Sequence, residues 1–429
     1  MRAGFALSDI TPHAGEHPEM MGFGPFLGRS ALEVLQPIHV RASYLEDRGG
    51  GAAVLLSLDL CGLKEDLADA IRKAAAKAAG VSSAQVIAAC THTHSAPSVM
   101  PIIGWGEFDG KTAGRLPGLA AQAAAEAKAN AREVVVEAGA TELDGFSRNR
   151  VYGDDGPRDI GLRTLSFRDR KDRRLVGLWS HYTCHPVLLC EQCRVISPDF
   201  CGVAMQALEA ANEGAVCSFL QGYCGDINPV LAHMRQERSI VHLAHFGRRF
   251  RLAVEEAMEA AQPVTAGRVT AQSEKLALPV SIQSDETIAA FEASAQMRGD
   301  GSRKLAKLSG PALRAEALKL HRMRPPQRKA PIAALAVGGH TLVFHPFEMF
   351  TQIGLDIRKA LGARKAWVVG YTNGYEGYAP TVDRFSPPSG DYAAHGVPLM
   401  MGRHPYSPML GEKLVAGLAD IGRRARQSS

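Results

Sequence analysis

Short apolar runs alternate along this chain with longer stretches in which apolar residues recur every three to four positions. The first pattern suits strands buried on both faces, and the second suits amphipathic helices. The N-terminal residues enter a strand at once. Further strands are predicted at Ala53–Leu58, Gln85–Cys90, Glu133–Ala138, Leu162–Phe167, Leu175–Tyr182 and Val216–Gln221. Helices are predicted between them at Lys64–Ala79, Leu116–Asn130, Gly202–Ala211 and Ser239–Ala260. The alternation resumes with strands at Ile332–Val337, Leu342–His345 and Trp367–Tyr371, and helices at Met349–Leu361 and Gly411–Arg424. Strands and helices in this order predict an α/β fold, a mixed-sheet sandwich with helices, as one domain over residues 1–429.

The pattern breaks in three places. Segment 296–330 holds ten Lys or Arg against Asp300 and Glu316 and contains a Pro-Pro pair. It is either a basic flap for an anionic substrate or membrane surface, or a solvated helical excursion, and the second is favoured. Gly370–Arg403 is rich in Gly, Pro, Tyr and Asn with little periodicity, which marks a functional loop. Residues 425–429 read as a frayed basic tail.

Composition narrows the classes. The chain is 46% hydrophobic and 22% charged with a net charge of +5, an ordinary globular balance that gives no footing for nucleic acid. Eight cysteines in apolar stretches read as buried free thiols. The C-x-x-C of Cys190 and Cys193 lacks the second pair that a structural zinc site needs. There is no apolar leader at the start and no run long enough to span a bilayer, so a cytoplasmic location is expected.

Five motifs carry candidate chemistry. Thr91-His92-Thr93-His94 follows a predicted strand, and residues two apart on a strand share a face, so two imidazoles project together toward a metal. A pair of hydrogen-bonded polar histidines fits the same pattern. His181 and His185 end another strand, and Pro186 holds the backbone of His185 extended. Glu348 falls in a predicted first helical turn, where it is either a ligand or a cap. Gly225-Asp226-Ile227-Asn228-Pro229 follows a strand as a tight turn whose Asp226 and Asn228 can orient ligands. Tyr371, Tyr375 and Tyr378, with Tyr392 beyond, crowd a glycine-rich loop. Four of the motifs lie just past predicted strands, which would gather them at one edge of a sheet.

With these residues in order, and with Gly4–Pro12 and Met20-Met21-Gly22-Phe23-Gly24 before them, the chain resembles the catalytic domain of the neutral, non-lysosomal ceramidases. The resemblance runs to Tyr392 and implies a single catalytic α/β domain with one Zn²⁺ per chain. It implies His92, His185, Glu348 and Tyr378 as metal ligands, and His94, Arg150 and Tyr392 as catalytic helpers. Ceramidases carry Ser where this chain has Asn228, and they carry an export signal and a C-terminal immunoglobulin-like domain. These differences favour a small or medium soluble amide over ceramide. The expected function is a zinc-dependent hydrolase that cleaves a linear N-acyl amide with metal-activated water, Asn228 donating a hydrogen bond to the substrate and Asp226 orienting a neighbour. A genuine ceramidase, a zinc esterase or lactonase, and a catalytically degenerate metal-binding protein are the alternatives.

Overall fold

The computed structural model of the chain describes residues 1–23, 28–265, 267–282, 327–386 and 391–427, together with the single positions 285, 315 and 319. Most of the predicted 296–330 excursion lies outside the described residues. Its last positions do not belong to it: they open a strand.

The first half builds one large sheet from β1 (Arg2–Asp9), β2 (His39–Glu46), β3 (Ala52–Leu58), β4 (Val86–Cys90), β5 (Arg132–Glu142), β6 (Gly161–Asp169), β7 (Leu175–Tyr182) and β8 (Val216–Gln221). Their order is β8-β7-β6-β5-β1-β2-β3-β4, with Gln262–Pro263 added against β5. The second half builds a four-stranded sheet in the order β9 (Thr270–Leu278), β10 (Arg328–Val337), β11 (His340–Phe344) and β12 (Ala366–Val369). The expected α/β mixed-sheet sandwich is thus built from two sheets packed face to face.

Alternation along the strands shows why. On β10, Ala333, Leu335 and Val337 join Leu55, Ala89 and Trp179 of the large sheet in the core between the sheets. Ile332, Ala334 and Ala336 point the other way, against α5 (Thr351–Leu361) and α6 (Leu410–Gln427). On β3 and β4, Val54, Leu56, Val86 and Ala88 face α1 (Glu65–Ala79) and α2 (Gly110–Ala129). The helices α3 (Asp199–Ala211) and α4 (Gln236–Glu259) cover the same outer face along β8, β6 and β5. The result is helix, sheet, sheet, helix. Strands buried on both faces have no polar side, which is why they read as continuous apolar runs.

Two strands escaped the pattern for opposite reasons. β9 is an edge strand of mostly half-exposed polar residues. β2 carries the buried Arg41, whose charge is matched by Asp59 at 2.8 Å and Glu209 at 2.8 Å. Glu348 is not in a first helical turn. Pro346 offers no N–H to a helix, and Glu348 N and Phe350 N donate to Gly377 O and Ala379 O, so Glu348–Met349 is a short strand beside Tyr378–Ala379 and α5 starts at Thr351. The C-terminal helix continues to Gln427, so the tail is not frayed from 425.

Three pairs in these sheets are parallel, β3–β4, β7–β8 and β11–β12, each joined through a crossover containing a helix, α1, α3 or α5. The carboxyl ends of β4, β8 and β12 are stitched across the two sheets. Cys90 N donates to Tyr371 O and Gly370 N to Gln221 O, while Gly222 N extends the β7–β8 pairing to Tyr182 O. Gly370 suits this seam, because a Cβ there would stand 3.1 Å from both Gly222 O and Phe347 O. The motif-bearing loops therefore meet where two sheet edges join, not along one.

Trp367, 1% exposed between the sheets, tests the layered core. Trp367→Ala should cost about 3–5 kcal/mol in denaturant unfolding, whereas Val241→Ala, 68% exposed on α4, should stay within about 0.5 kcal/mol.

Candidate metal centre

Beyond Cys90 the chain leaves strand geometry. His92 adopts φ 68°, so its ring and that of His94 do not project together through strand alternation as the spacing suggested. They meet because the backbone turns: the two Nε2 atoms lie 3.3 Å apart with the ring planes at 84°. A non-glycine residue held at positive φ at a buried site is strain the surroundings must sustain. Here Tyr371 stacks on the His92 ring at 3.9 Å, and His92 N bonds to Leu60 O.

His185 comes from the loop after β7 and Glu348 from the short strand after β11. His185 Nε2 is 3.1 Å from His92 Nε2 and 3.1 Å from Glu348 Oε2, and His92 Nε2 is 3.4 Å from the same oxygen. Tetrahedral zinc with bonds of about 2.0–2.1 Å spaces its donors about 3.3 Å apart, so these three atoms are set like the edges of such a shell. They form one of the groups of metal-capable side chains among the described residues; another joins Cys61, His92 and His94.

Backbone contacts decide which ring nitrogen can bind. His92 Nδ1 lies 2.6 Å from Cys61 O and His185 Nδ1 lies 3.0 Å from Ile227 O. A carbonyl only accepts, so each Nδ1 carries its proton and each Nε2 presents a lone pair to the centre. His94 is wired in reverse. Phe23 N donates to its Nδ1 at 3.2 Å, which leaves the neutral ring's proton on Nε2. His92 and His185 thus present acceptor nitrogens to the centre and His94 a donor.

The charges agree with a cation site. Burial disfavours the Glu348 carboxylate, but the nearness of His92, with His185 beside it, outweighs that and holds its pKa well below the usual range. Burial also disfavours charge on His92, but Cys61 and Glu348 override it and push that pKa up to about 10. Burial, with Arg150 next, takes His185 down to about 4, and burial with His92 and His185 takes His94 well below its ordinary value. An anion facing three imidazoles draws a proton when nothing else is present, and a divalent cation can replace that proton.

Tyr378 pairs with Glu348 across the short ladder, and burial, with that carboxylate next, holds its phenol pKa well above the usual value. Arg150 Nη2 donates to Tyr378 OH at 2.9 Å and to Gly225 O at 2.8 Å. Tyr392 packs against Tyr378 with ring centroids 5.9 Å apart. Asp226 faces away from the cluster. Its carboxylate takes Thr351 N, Thr351 Oγ1 and Asn149 Nδ2 at 2.7–2.9 Å, and its carbonyl takes Arg150 N, so it seats Arg150 and the start of α5. Asn228 lies against His233, one residue from the carbonyl that holds His185. His181 points between the sheets to Val368 O, and burial takes its pKa to about 3. Cys190 and Cys193 are buried free thiols with sulfurs 3.5 Å apart, as are the other six cysteines free and buried.

Several contributors were given no site role by the sequence. Tyr375 OH donates to Glu348 Oε1 at 2.5 Å. Buried Arg29 holds His94 O at 2.5 Å. Gly22, at φ 104°, allows Phe23 to reach His94, since a Cβ there would stand 2.4 Å from the ring. Met20-Met21-Gly22-Phe23 was a visible segment, but nothing local showed that it would meet a histidine seventy positions on.

The model for the neutral/alkaline non-lysosomal ceramidase N-terminal domain matches residues 1–241. The chain belongs to this family. Among solved structures, the neutral ceramidase from Pseudomonas aeruginosa is similar over 100% of this chain and 74% of its own, with TM-score 0.79 and 22% identity. A ceramidase complexed with C2 is similar over 99% and 75%, with TM-score 0.76 and 21% identity. No curated protein sequence matches. At these identities the structures establish a shared fold: the ceramidase fold, with all of this chain inside it. No helix among the described residues is long and apolar enough to cross a membrane.

The hydrogen bond from Tyr375 orients Glu348 from outside the cluster. If the cluster holds a divalent metal, Tyr375→Phe should weaken its binding about 10–100-fold in competition titrations against a chelator, without changing the unfolding midpoint of the metal-free protein by more than a few degrees.

Proposed function

We propose that this ceramidase-family chain is a zinc-dependent amidohydrolase that cleaves linear N-acyl amides with water. The observation that carries the reading is the opposed wiring of the imidazoles: His92 and His185 offer Nε2 lone pairs beside Glu348, while His94 offers a proton. His92, His185, Glu348 and Tyr378 would hold the zinc, which when bound supplies a Lewis acid for the scissile carbonyl and a water acidic enough to react near neutral pH.

The chain's own residues do the rest. His94 Nε2–H gives its proton to the leaving nitrogen and regains one from the water consumed, so acid and amine form with no net proton drawn from the protein. Phe23 N and Arg29 hold that ring and its backbone in place. Arg150 acts through Tyr378, whose oxygen it steadies, and Tyr392 beside it faces the developing oxyanion. Asp226 keeps Arg150 seated.

Ceramide itself is the second reading, and the fold shared with a neutral ceramidase favours it. The same site attacks a short or a long N-acyl chain, so pocket shape selects between them. Activity of the zinc-loaded protein on N-acyl amines of graded chain length, with ceramide in detergent as the last member, tests both. Peak kcat/KM on short or medium soluble amides is the expected result; a peak at ceramide assigns the second reading; no turnover of any member refutes the amidohydrolase.

His92→Ala should lose stoichiometric zinc and activity together. His94→Ala should keep its zinc and lose about 10²–10⁴-fold in kcat. Equal zinc loss in both variants, read by elemental analysis, would show the roles to be misassigned.

A further inference from the structure

A second polar chain runs beside the centre and supplies none of the proposed ligands. Glu191 Oε2 lies 3.2 Å from His233 Nδ1. A carboxylate accepts, so the neutral His233 ring carries its proton on Nδ1 and turns a lone pair at Nε2 toward Asn228. Asn228 Nδ2, 3.4 Å away, is then the donor. This contact fixes which way the Asn228 amide faces, a choice that nitrogen and oxygen positions alone leave open. The expectation from sequence was that Asn228 donates to substrate; here one of its two N–H groups faces His233.

What remains is Asn228 Oδ1. It is fully buried and has no donor among the described residues, on a side chain 3% exposed. Buried acceptors in folded proteins are seldom left so unless a ligand or water completes them. Its surroundings tie it to the reaction centre from two sides. Ile227, the preceding residue, accepts both N–H groups of His185 through its carbonyl. His233, held at φ 61°, packs edge-on to Phe23 at 6.0 Å, and Phe23 packs on His94 at 5.0 Å.

We propose that Asn228 Oδ1 accepts the N–H of the scissile amide and makes the site selective for amides over esters, with Glu191 and His233 as the residues that position it. The proposal rests on the amidohydrolase reading above. An amide brings a donor to this oxygen, whereas an ester brings lone pairs and leaves the acceptor unpaired, the kind of mismatch that polar sites reject most strongly. It also orients the leaving group. With the N–H engaged by Asn228, the lone pair that forms on nitrogen as the carbonyl is attacked is free to face His94 Nε2–H. The C–N bond then breaks with its electron pair on nitrogen, which takes the His94 proton and leaves as the amine.

The test compares a matched pair, an N-acyl amine and the oxygen ester of the same acyl and alkyl groups, on zinc-loaded protein. Asn228→Leu keeps the side-chain volume and removes the acceptor. It should lower kcat/KM for the amide about 10–100-fold and for the ester less than about threefold. Glu191→Lys, at a half-exposed position, replaces the acceptor with a donor, reverses the His233 tautomer and turns the Asn228 NH₂ to where Oδ1 stood, so the amide-to-ester ratio should fall there too. A readout without turnover uses an acyl hydroxamate and its N-methyl derivative, bound to the zinc-loaded protein and followed by calorimetry. The unsubstituted compound should be preferred by the unaltered protein, and the preference should shrink in Asn228→Leu. Amide and ester rates that fall together, or a ratio and a binding preference that do not move, overturn the proposal while leaving the hydrolase reading intact. A protein that turns over neither substrate and binds neither hydroxamate overturns both.

Discussion

Each of the three central imidazoles has its Nδ1 tied to one backbone group, and the direction of that hydrogen bond sets what its Nε2 can do. Carbonyls of Cys61 and Ile227 take protons from His92 and His185, and the amide of Phe23 gives one to His94. A side chain could flip or be replaced by water in such a role, but a buried backbone group in a packed loop cannot. The same device appears one layer out, where the Glu191 carboxylate sets the tautomer of His233 and so the facing of Asn228. The chemistry proposed for the site is in this sense written in donors and acceptors of the surrounding chain, and the proposed metal would follow from it.

Those backbone groups hold position because the loops that carry them start from parallel strands whose ends are joined. The seam from Cys90 to Tyr371, and from Gly370 to Gln221, binds the large sheet to the small one at one point. Without the small sheet, Glu348, Tyr375 and Tyr378 have no strand end to leave from. The inter-sheet core of Trp179, Trp367, Phe344 and their neighbours is therefore as necessary to the site as its own residues.

The buried charges follow a division of labour. Glu348 is surrounded by groups that lend it protons or accept a shared cation. Glu376, two residues before Tyr378, is instead saturated by Arg328, Arg403 and Tyr406 and serves as an anchor for the tyrosine loop. Asp226 is likewise spent on Thr351 and Asn149. Carboxylates fully paired with arginine or backbone N–H groups lock geometry, while one facing imidazoles stays available to a ligand.

Sequence alone was enough to determine the α/β class, the strands buried on both faces and the apolar thiols, because each follows from periodicity or burial over a few adjacent residues. It also brought forward the loops holding His92, His185, Glu348 and Asn228, since each follows a strand whose apolar run is legible. It did not show two sheets, since a strand apolar on both faces looks the same whether helices or another sheet cover it. It placed Glu348 in a helix, because the ladder to Tyr378 that captures its backbone spans some thirty residues. It left Phe23, Tyr375, His233 and Glu191 without a role, since their work is one hydrogen bond or ring contact to a partner distant in the chain. Tautomers, side-chain facing and the convergence of Nε2 atoms are relations between such partners, and only the tertiary structure brings those partners within reach of one another.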